Sequence, residues 1–244
     1  MKSLDDGLDS RTGGPPVPTH TPNARAARST NATHSSPRIP ALYEFPEAMS
    51  TASDHFFSRF ANPDVHARNL PHWAANATLI FITYRLADSM PAEKLRIWQN
   101  ERDEWLSLHP QPWDDAVTDE YFATFPEKLE AMLDAGHGSC VLKRDDCRKI
   151  IVDNLLHFNE SRYRLHAFVV MPNHVHILME IAKREDLSKI LHSWKSYTAK
   201  QINEMTGRSG DVWQKEYFDR LIRNAEHYGR TVEYIRRNAK SIGW

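Results

Sequence analysis

Two histidines spaced two residues apart form the first group whose chemistry the sequence suggests. His174 and His176 fall in the strand-like run HVHILMEI, so both imidazoles share one face of the strand while Val175 points to the other. Imidazole is a common ligand of divalent metals, and the pair is therefore a candidate metal site. Two ordinary surface histidines on a half-exposed strand have the same spacing, which leaves both readings open.

A tyrosine and an asparagine form the second group. Tyr234 and Asn238 are four apart in VEYIRRNAK, a predicted helix, so their side chains lie on one helical face. The Tyr234 hydroxyl and the Asn238 amide oxygen then point in the same direction. An ordinary amphipathic tyrosine with a wet tip would also fit this position, and the pair gains meaning only beside the histidine strand.

The elements that must position these residues follow from hydrophobic periodicity and turn residues. Strands are predicted at 77–86, 163–171, 174–181 and 212–222, and helices at 93–108, 119–133, 146–158, 187–205 and 225–240. Pro172 and Asn173 separate the second and third strands as a hairpin turn. This order predicts an α+β fold, a ferredoxin-like antiparallel sheet with helices on one face.

The chain divides by composition into an extension and a folded domain. Residues 1–68 are mostly rich in Ser, Thr, Pro, Asn and Ala and are predicted to be disordered or weakly structured, and 69–244 to form the domain. Net charge is -1, but 91–137 holds 11 acidic and 4 basic residues, whereas 160–244 holds 15 basic and 10 acidic. We interpret 91–137 as an acidic helical insertion without an assigned role, and the basic end as the part that would bind a polyanion.

Location is predicted from what the sequence lacks. No run of 18 apolar residues occurs, and the N-terminal stretch is polar and rich in proline. The two cysteines, Cys140 and Cys147, have no CxxC partner and suit a reducing compartment. We expect a cytoplasmic protein that does not associate with membranes.

Four sequence blocks together resemble the IS200-like transposases, in particular the branch of REP-associated tyrosine transposases. The blocks are FVVMPNHVHILME (168–180), SKILHSWKSYTAKQIN (188–203), VWQKEYFDRLIR (212–223) and YIRRNAKSIGW (234–244). They follow the family's order and approximate spacing, and the first contains its HUH motif of histidine, bulky hydrophobe and histidine. The resemblance covers about residues 70–244.

The resemblance implies an HUH endonuclease fold and a transposase. It implies that His174 and His176 bind a divalent metal, Mg²⁺ or Mn²⁺, with Asn238 as third ligand, and that Tyr234 is the single nucleophile. The substrate would be single-stranded DNA with hairpins, REP-like or at element ends, cut and rejoined through a 5′-phosphotyrosine. One departure is Ala239, where the family often has proline.

Basic and aromatic residues between the motifs are candidates for DNA contacts. The candidates for phosphate contacts are Lys195, Lys200, Arg220, Arg223, Arg236 and Arg237. Each could equally belong to a solvated basic face. Aromatic side chains could stack on unpaired bases, although such residues usually belong to the core; they are Trp194, Tyr197, Trp213 and Tyr217.

Other functions remain open at this level. A domesticated relative would bind hairpin DNA without cutting it, and a metal-binding α+β domain would have no DNA partner, as the acidic segment and near-zero charge would allow. A replication initiator or relaxase would share the HUH motif but places its tyrosine differently, and no P-loop is present. The sequence leaves the DNA target and the choice between monomer and homodimer undecided.

Overall fold

An antiparallel sheet organises the folded part of the chain. The computed structural model describes residues 25–26, 40–50, 64–67, 71–74 and 79–242. The strands are β1 (Arg25–Ala26), β2 (Leu42–Glu44), β3 (Asp64–Ala67), β4 (Pro71–Ala74), β5 (Leu79–Arg85), β6 (Tyr163–Val170), β7 (His174–Ile181) and β8 (Phe218–Leu221). The helices are α1 (Pro46–Ser50), α2 (Ala92–Leu108), α3 (Asp115–Asp134), α4 (Asp145–His157), α5 (Leu187–Thr206) and α6 (Ala225–Ser241).

The strand order identifies the fold. Five strands pair in the order β2-β6-β7-β5-β8, the two-residue β1 extends the β2 edge, and β3 and β4 form a separate hairpin. Because β7 is antiparallel to both β5 and β6, those two strands are parallel and are joined by a crossover through α4. In the same way β7 and β8 flank β5, and α5 joins them. Two such split β-α-β units make a ferredoxin-like sheet, which confirms the predicted α+β class.

The two faces of the sheet carry different residues. On the face that we call the crossover face, Ile82, Val175 and Ile177 pack against α4 and α5. Both crossovers lie on this side because such connections are right-handed. On the opposite face, which we call the histidine face, lie Thr83, His174 and His176, since side chains alternate along a strand. The alternation of side chains therefore places the two histidines on the face opposite the main hydrophobic core.

Helices also cover the histidine face, which the expectation of helices on one face did not include. Helix α6 packs there through Val232, Ile235 and Ala239. The α2–α3 hairpin has its own aromatic cluster and reaches the sheet through Trp98, whose ring lies 5.7 Å from that of Phe218. Neither α6 nor this hairpin has to return the chain to a parallel strand, so the crossover rule does not fix their side.

The boundary predicted at residue 68 changes in part. Tyr43 on β2 stacks on Phe168 with ring centroids 4.7 Å apart, and Phe45 and Ala48 are buried beside it. β2 pairs with β6 along its whole length. This short apolar run therefore belongs to the sheet, at its β6 side, and not to a disordered or weakly structured extension. The tail before residue 25 lies outside the described residues.

The strand predicted at 212–222 is shorter in the structure. Only 218–221 pairs with β5, while Trp213 makes a single bridge to Leu86. The intervening loop instead offers its carbonyls to the Lys195 ammonium, which contacts Gln214, Lys215 and Glu216 at 3.0 to 3.3 Å. Within the described ranges, no helix is both long enough and apolar enough to cross a membrane.

Candidate active site

The two histidines converge at the start of the central strand β7. Their Nε2 atoms are 2.9 Å apart, and both side chains are almost completely buried, at 1% and 0% exposure. Burial lowers the pKa of His174 to about 3 and that of His176 well below its usual value, where the neighbouring His174 acts in the same direction. Both imidazoles are therefore neutral near pH 7. Two neutral nitrogens this close need a shared proton or a shared cation between them.

Neighbouring polar groups set the tautomer of the first histidine. The Asn173 amide nitrogen donates to the main-chain oxygens of Leu133 and His137, at 3.1 and 3.2 Å. Its amide oxygen therefore faces His174 Nδ1, at 2.8 Å, and accepts a hydrogen bond from it. The tautomer of His174 is thereby assigned: its Nδ1 carries the hydrogen, and its Nε2 keeps the lone pair.

The second histidine has a hydroxyl partner. The Thr83 Oγ1 lies 2.7 Å from His176 Nδ1, and Thr83 is paired with His176 across β5 and β7. This contact fixes the ring plane, and the ring also stacks on Phe81 with centroids 5.4 Å apart. The Nε2 atom of His176 is left to face the cleft.

The tyrosine reaches this pair from α6. Tyr234 Oη lies 3.2 Å from His176 Nε2, and its ring meets those of Phe81 and His176 edge-on. The helix begins at its cap Asn224, whose side chain accepts from His227 N. Burial raises the pKa of the Tyr234 hydroxyl, and the charge of Glu130 raises it further. The phenol is therefore held protonated and needs a proton acceptor to become a nucleophile.

Asn238 lies one turn beyond the tyrosine and is buried. Its amide nitrogen donates to the Tyr234 main-chain oxygen, at 3.1 Å, which leaves the amide oxygen for another partner. A hydrogen bond from this side chain also counteracts the rise in the Tyr234 pKa. The structure thus places Asn238 beside Tyr234, as the helical spacing predicts.

Two carboxylates from α3 complete the cleft, and sequence reasoning missed both. Glu130 is half-buried, and its charge and hydrogen bonding raise the pKa of the Tyr234 hydroxyl. Asp134, one turn later, brings Oδ1 to 3.9 Å from His174 Nε2. Their spacing of four beside the buried Leu129 and Leu133 was a readable signal, but the sequence alone does not tell which side of an insertion packs on the sheet.

The donor atoms can be tested against a divalent metal. Two ligands in adjacent octahedral positions, each about 2.1 Å from an ion, lie about 3 Å apart, and the Nε2 separation of 2.9 Å matches this. Over the described part of the chain, no group of three or more His, Cys, Asp and Glu side chains is arranged to hold a metal. The histidine pair therefore fits a metal, and its remaining ligands would be oxygens such as the Asn238 amide, water or phosphate.

The candidate phosphate-binding residues separate into two groups. Arg237 is exposed, with its guanidinium 5.5 Å from the Tyr234 ring centre, and Arg220 lines a cavity together with Glu130. Arg223 and Arg236 lie further along the same face and form ion pairs with Asp119 and Glu44, at 3.3 and 2.6 Å.

The lysines lie on α5, which covers the crossover face. Lys200 is exposed and 4.0 Å from Glu204. The three main-chain oxygens of residues 214–216 occupy the Lys195 ammonium, whose pKa burial lowers to about 8. A lysine has three N–H donors, so the three carbonyls leave Lys195 no donor for a DNA phosphate, contrary to the prediction.

The aromatic candidates are mainly structural. Trp194 is fully buried, and Trp213 donates its indole N–H to Thr198 Oγ1 at 2.9 Å. Tyr217 is half-buried, with the Lys195 ammonium 5.3 Å from its ring centre. Tyr197 is exposed, but it lies on the crossover face. Stacking on bases therefore has little support among these four residues.

Comparison with known proteins gives the following matches. Residues 144–238 match the family described as "Transposase IS200 like". The REP-associated tyrosine transposase of Escherichia coli (strain K12) is 28% identical over 82 residues, which are 34% of this chain and 47% of that protein. The chain thus spans about half the length of that relative. A solved structure of the REP-associated tyrosine transposase bound to a REP hairpin covers 73% of this chain and 74% of its own, at 18% identity and a TM-score of 0.38.

The family match contains both histidines and the tyrosine helix as far as Asn238. It does not contain β5 or α3, so Thr83 and Glu130 come from parts of the chain outside it. The first three sequence blocks lie within this match, and the fourth, 234–244, begins within it. The resemblance is thereby confirmed: residues 144–238 match the IS200-like transposase family, and part of the chain is similar to a REP-associated tyrosine transposase.

Proposed function

We propose that this protein cuts and rejoins single-stranded DNA through a covalent bond to Tyr234, in a metal-dependent reaction. The observation that carries the proposal is the convergence of three atoms from distant parts of the chain. Tyr234 Oη lies 3.2 Å from His176 Nε2, which lies 2.9 Å from His174 Nε2. A nucleophile beside a pair of neutral imidazoles is the arrangement that phosphoryl transfer to tyrosine requires.

The reaction is a displacement at phosphorus. The Tyr234 oxygen forms a bond to the scissile phosphate, the bond from phosphorus to the 3′ oxygen breaks, and a free 3′-OH leaves with a proton from water. The protein then holds a 5′-phosphotyrosine. Attack by a 3′-OH on that bond reverses the step, so strands are rejoined without another energy source.

Metal binding belongs to the histidine pair. His174 and His176 would hold a divalent cation, Mg²⁺ or Mn²⁺, which supplies Lewis-acid polarisation of the phosphate oxygens. Asn173 and Thr83 keep the Nδ1 sides occupied and so aim both Nε2 atoms into the cleft. Asn238 is our candidate for an oxygen ligand from α6, because its amide nitrogen is already bonded to Tyr234 and its oxygen is not.

The proposed partner is single-stranded DNA that contains a hairpin, in the cytoplasm. The E. coli relative is named as a REP-associated tyrosine transposase, and we carry its class of element over to this chain as part of the proposal. Arg237, whose guanidinium lies 5.5 Å from the Tyr234 ring centre, and Arg220, which lines a cavity with Glu130, are our candidates for contacts to the flanking phosphates.

The test is a covalent-adduct assay with labelled DNA. Single-stranded DNA with a hairpin from beside the protein's own gene is incubated with Mg²⁺, Mn²⁺ or EDTA and run on a denaturing gel. We expect a 3′-labelled strand to shift onto the protein and a 5′-labelled strand to be shortened. Both signals should disappear with EDTA and in Tyr234→Phe.

Tyr197→Phe is the matched control, since that tyrosine is exposed on the other face, and it should retain the adduct. Salt-sensitive binding of the hairpin without an adduct, under either metal, would favour a protein that binds and does not cut. Absence of binding as well would favour a metal-binding domain without a DNA partner.

A further inference from the structure

The cleft holds a carboxylate that the reaction described above does not yet use. Glu130 lies on α3, in the acidic segment outside the family match, and its charge and hydrogen bonding raise the pKa of Tyr234. It also lines a cavity on the histidine face with Phe81, Thr83 and Arg220. Phe81, which lines the same cavity as Glu130, has its ring 5.9 Å from that of Tyr234. The helix that carries it is fixed at its C-terminal end, because Asn173 donates to the Leu133 and His137 carbonyls. The carboxylate is therefore held against the tyrosine by tertiary contacts.

Few other groups could accept the tyrosine proton. His176 Nε2 is within 3.2 Å of the hydroxyl, but a nitrogen that ligates a metal has no lone pair left for a proton. Asp134 influences Tyr234 through its charge and lies nearer to His174, at 3.9 Å. The Asn238 amide is not a base. Glu130 is the acceptor that remains among the described neighbours of the hydroxyl.

We propose that Glu130 is the general base of the reaction, an inference that rests on the proposed function. As the Tyr234 oxygen bonds to phosphorus, its proton passes to the Glu130 carboxylate, and the departing 3′ oxygen takes a proton from water. In the reverse step an incoming 3′-OH gives its proton to water as its oxygen bonds to phosphorus, and the Glu130 carboxyl returns its proton to the departing tyrosine oxygen. Acid-base balance is kept in both directions.

The surroundings of Glu130 tune it for this role. Burial raises the pKa of Glu130 to about 7, and the charges of Asp134 and Glu127 act in the same direction. The hydrogen bond with Tyr234 and the charge of Arg220, from α6 and β8, act against the rise. A carboxylate with a pKa near neutrality is a stronger base than an exposed one and is still largely ionised at pH 7.5.

The experiment measures the rate of adduct formation in a single turnover as a function of pH. The full chain is mixed with the hairpin DNA and saturating Mn²⁺ between about pH 5.5 and 8.5, as wild type and as Glu130→Gln. We expect the wild-type rate to rise with pH as Glu130 ionises and to level off near pH 7. The plateau would begin somewhat below pH 7 if the bound Mn²⁺ stabilises the ionised carboxylate. Glu130→Gln should be slower by about 100-fold or more at pH 7.5 and should lack this plateau.

Two further variants separate a base from a structural support. Glu127→Gln changes an exposed carboxylate one turn earlier on α3 and should keep the wild-type rate at pH 7.5 and the plateau, with the plateau reached at a slightly lower pH because the charge of Glu127 raises the pKa of Glu130. Glu130→Ala should regain adduct formation as formate is added, because a small carboxylate can enter the vacated space. Hairpin affinity and thermal unfolding are recorded for all variants to show that DNA binding and folding are retained.

The outcomes discriminate between the two proposals. A wild type without an adduct would overturn the proposed function and this inference with it. A wild type with an adduct, together with Glu130→Gln at an unchanged rate and profile, would overturn the general base alone. Loss of the pH plateau in Asp134→Asn and not in Glu130→Gln would transfer the role to Asp134.

Discussion

Asn173 shows how much of the site depends on groups that do no chemistry themselves. It joins the end of α3 to His174 through three hydrogen bonds and is 1% exposed. The amide therefore sets the tautomer of a candidate metal ligand and the position of the helix that carries Glu130. A change at this residue should alter metal binding as well as stability.

Asn173→Ala is expected to weaken Mn²⁺ binding by about tenfold, because His174 loses the acceptor that holds its tautomer. The free energy of unfolding should fall by about 1 to 3 kcal/mol, since two carbonyls lose their donor. Titration calorimetry and urea unfolding measure the two effects. Asn203→Ala removes a similar bond from amide to carbonyl on α5 and should leave metal affinity unchanged; equal Mn²⁺ affinity in both variants would contradict the role of Asn173.

His227, near the start of α6, gives a prediction about pH. Burial lowers its pKa to about 3, with the charges of Arg220, Arg223 and Arg230 acting in the same direction, and its Nε2 is buried without a hydrogen-bond partner. Below the unfolded pKa of about 6.5 only the unfolded chain takes up this proton. Stability that is complete above that pH is therefore lost as the pH falls toward the folded pKa.

His227→Gln removes this titration, so the variant should gain about 1 to 2 kcal/mol relative to wild type when the pH is lowered from about 7.5 to 5. Urea unfolding at both pH values tests this prediction. His192 is exposed, and His192→Gln should leave the free energy of unfolding unchanged at both pH values. If the difference in unfolding free energy between wild type and His227→Gln is the same at both pH values, the assignment to His227 is contradicted.

At the scale of elements, the loop before β8 depends on a half-buried cation, the Lys195 ammonium. Lys195→Met keeps most of the aliphatic stem but removes the contacts to the carbonyls of residues 214–216. We expect the free energy of unfolding to fall by about 1 to 3 kcal/mol, as measured in urea. Lys200→Met, on the exposed side of the same helix, should remain within about 0.5 kcal/mol; equal effects would show that the carbonyl contacts contribute nothing.

The elements also show what local sequence can predict. Strands β5, β6 and β7 and the helices after them follow from periods of 2 and 3.6, which are set by neighbours in the chain. These periods suffice to place His174 and His176 on one face and Tyr234 and Asn238 on another. The positions of β2, of the α2–α3 hairpin and of Lys195 depend on contacts between distant residues, and the sequence pattern does not contain them.

Glu130 illustrates the limit most clearly. Its segment was recognisable as acidic and helical, but an acidic helix is usually a solvated face. Only the packing of Trp98 on Phe218 and the bonds from Asn173 to the end of α3 turn this carboxylate toward Tyr234. The candidate nucleophile and ligands were therefore predictable, whereas the candidate base was not.

At the scale of the whole molecule, the net charge of -1 is the sum of an acidic segment, 91–137, and a basic segment, 160–244. Arg237 is exposed beside the nucleophile, so Arg237→Ala should weaken hairpin binding and reduce the slope of log affinity against log salt by about one. Fluorescence anisotropy across a range of salt concentrations measures the slope. Arg230→Ala, two turns earlier and paired with Glu226, should affect it less; a larger effect of Arg230 would place the DNA elsewhere.

One chain contains the candidate ligands and the candidate nucleophile together. Helix α6 is held against the same sheet by Val232, Ile235 and Ala239, and by the ion pair between Arg236 and Glu44. A mixture of His176→Ala and Tyr234→Phe proteins should therefore form no adduct beyond that of each alone. An adduct in the mixture, detected on a denaturing gel, would show that two copies exchange this helix.

The short strand β2 also has a consequence for solubility. It covers the outer edge of β6, where Phe168 and its neighbours would otherwise present unpaired N–H and C=O groups. An uncovered, apolar strand edge is a template for pairing with another copy of the same strand. A shortened chain that starts at residue 69 would lose this cover and should aggregate, whereas one that starts before residue 40 should stay dispersed.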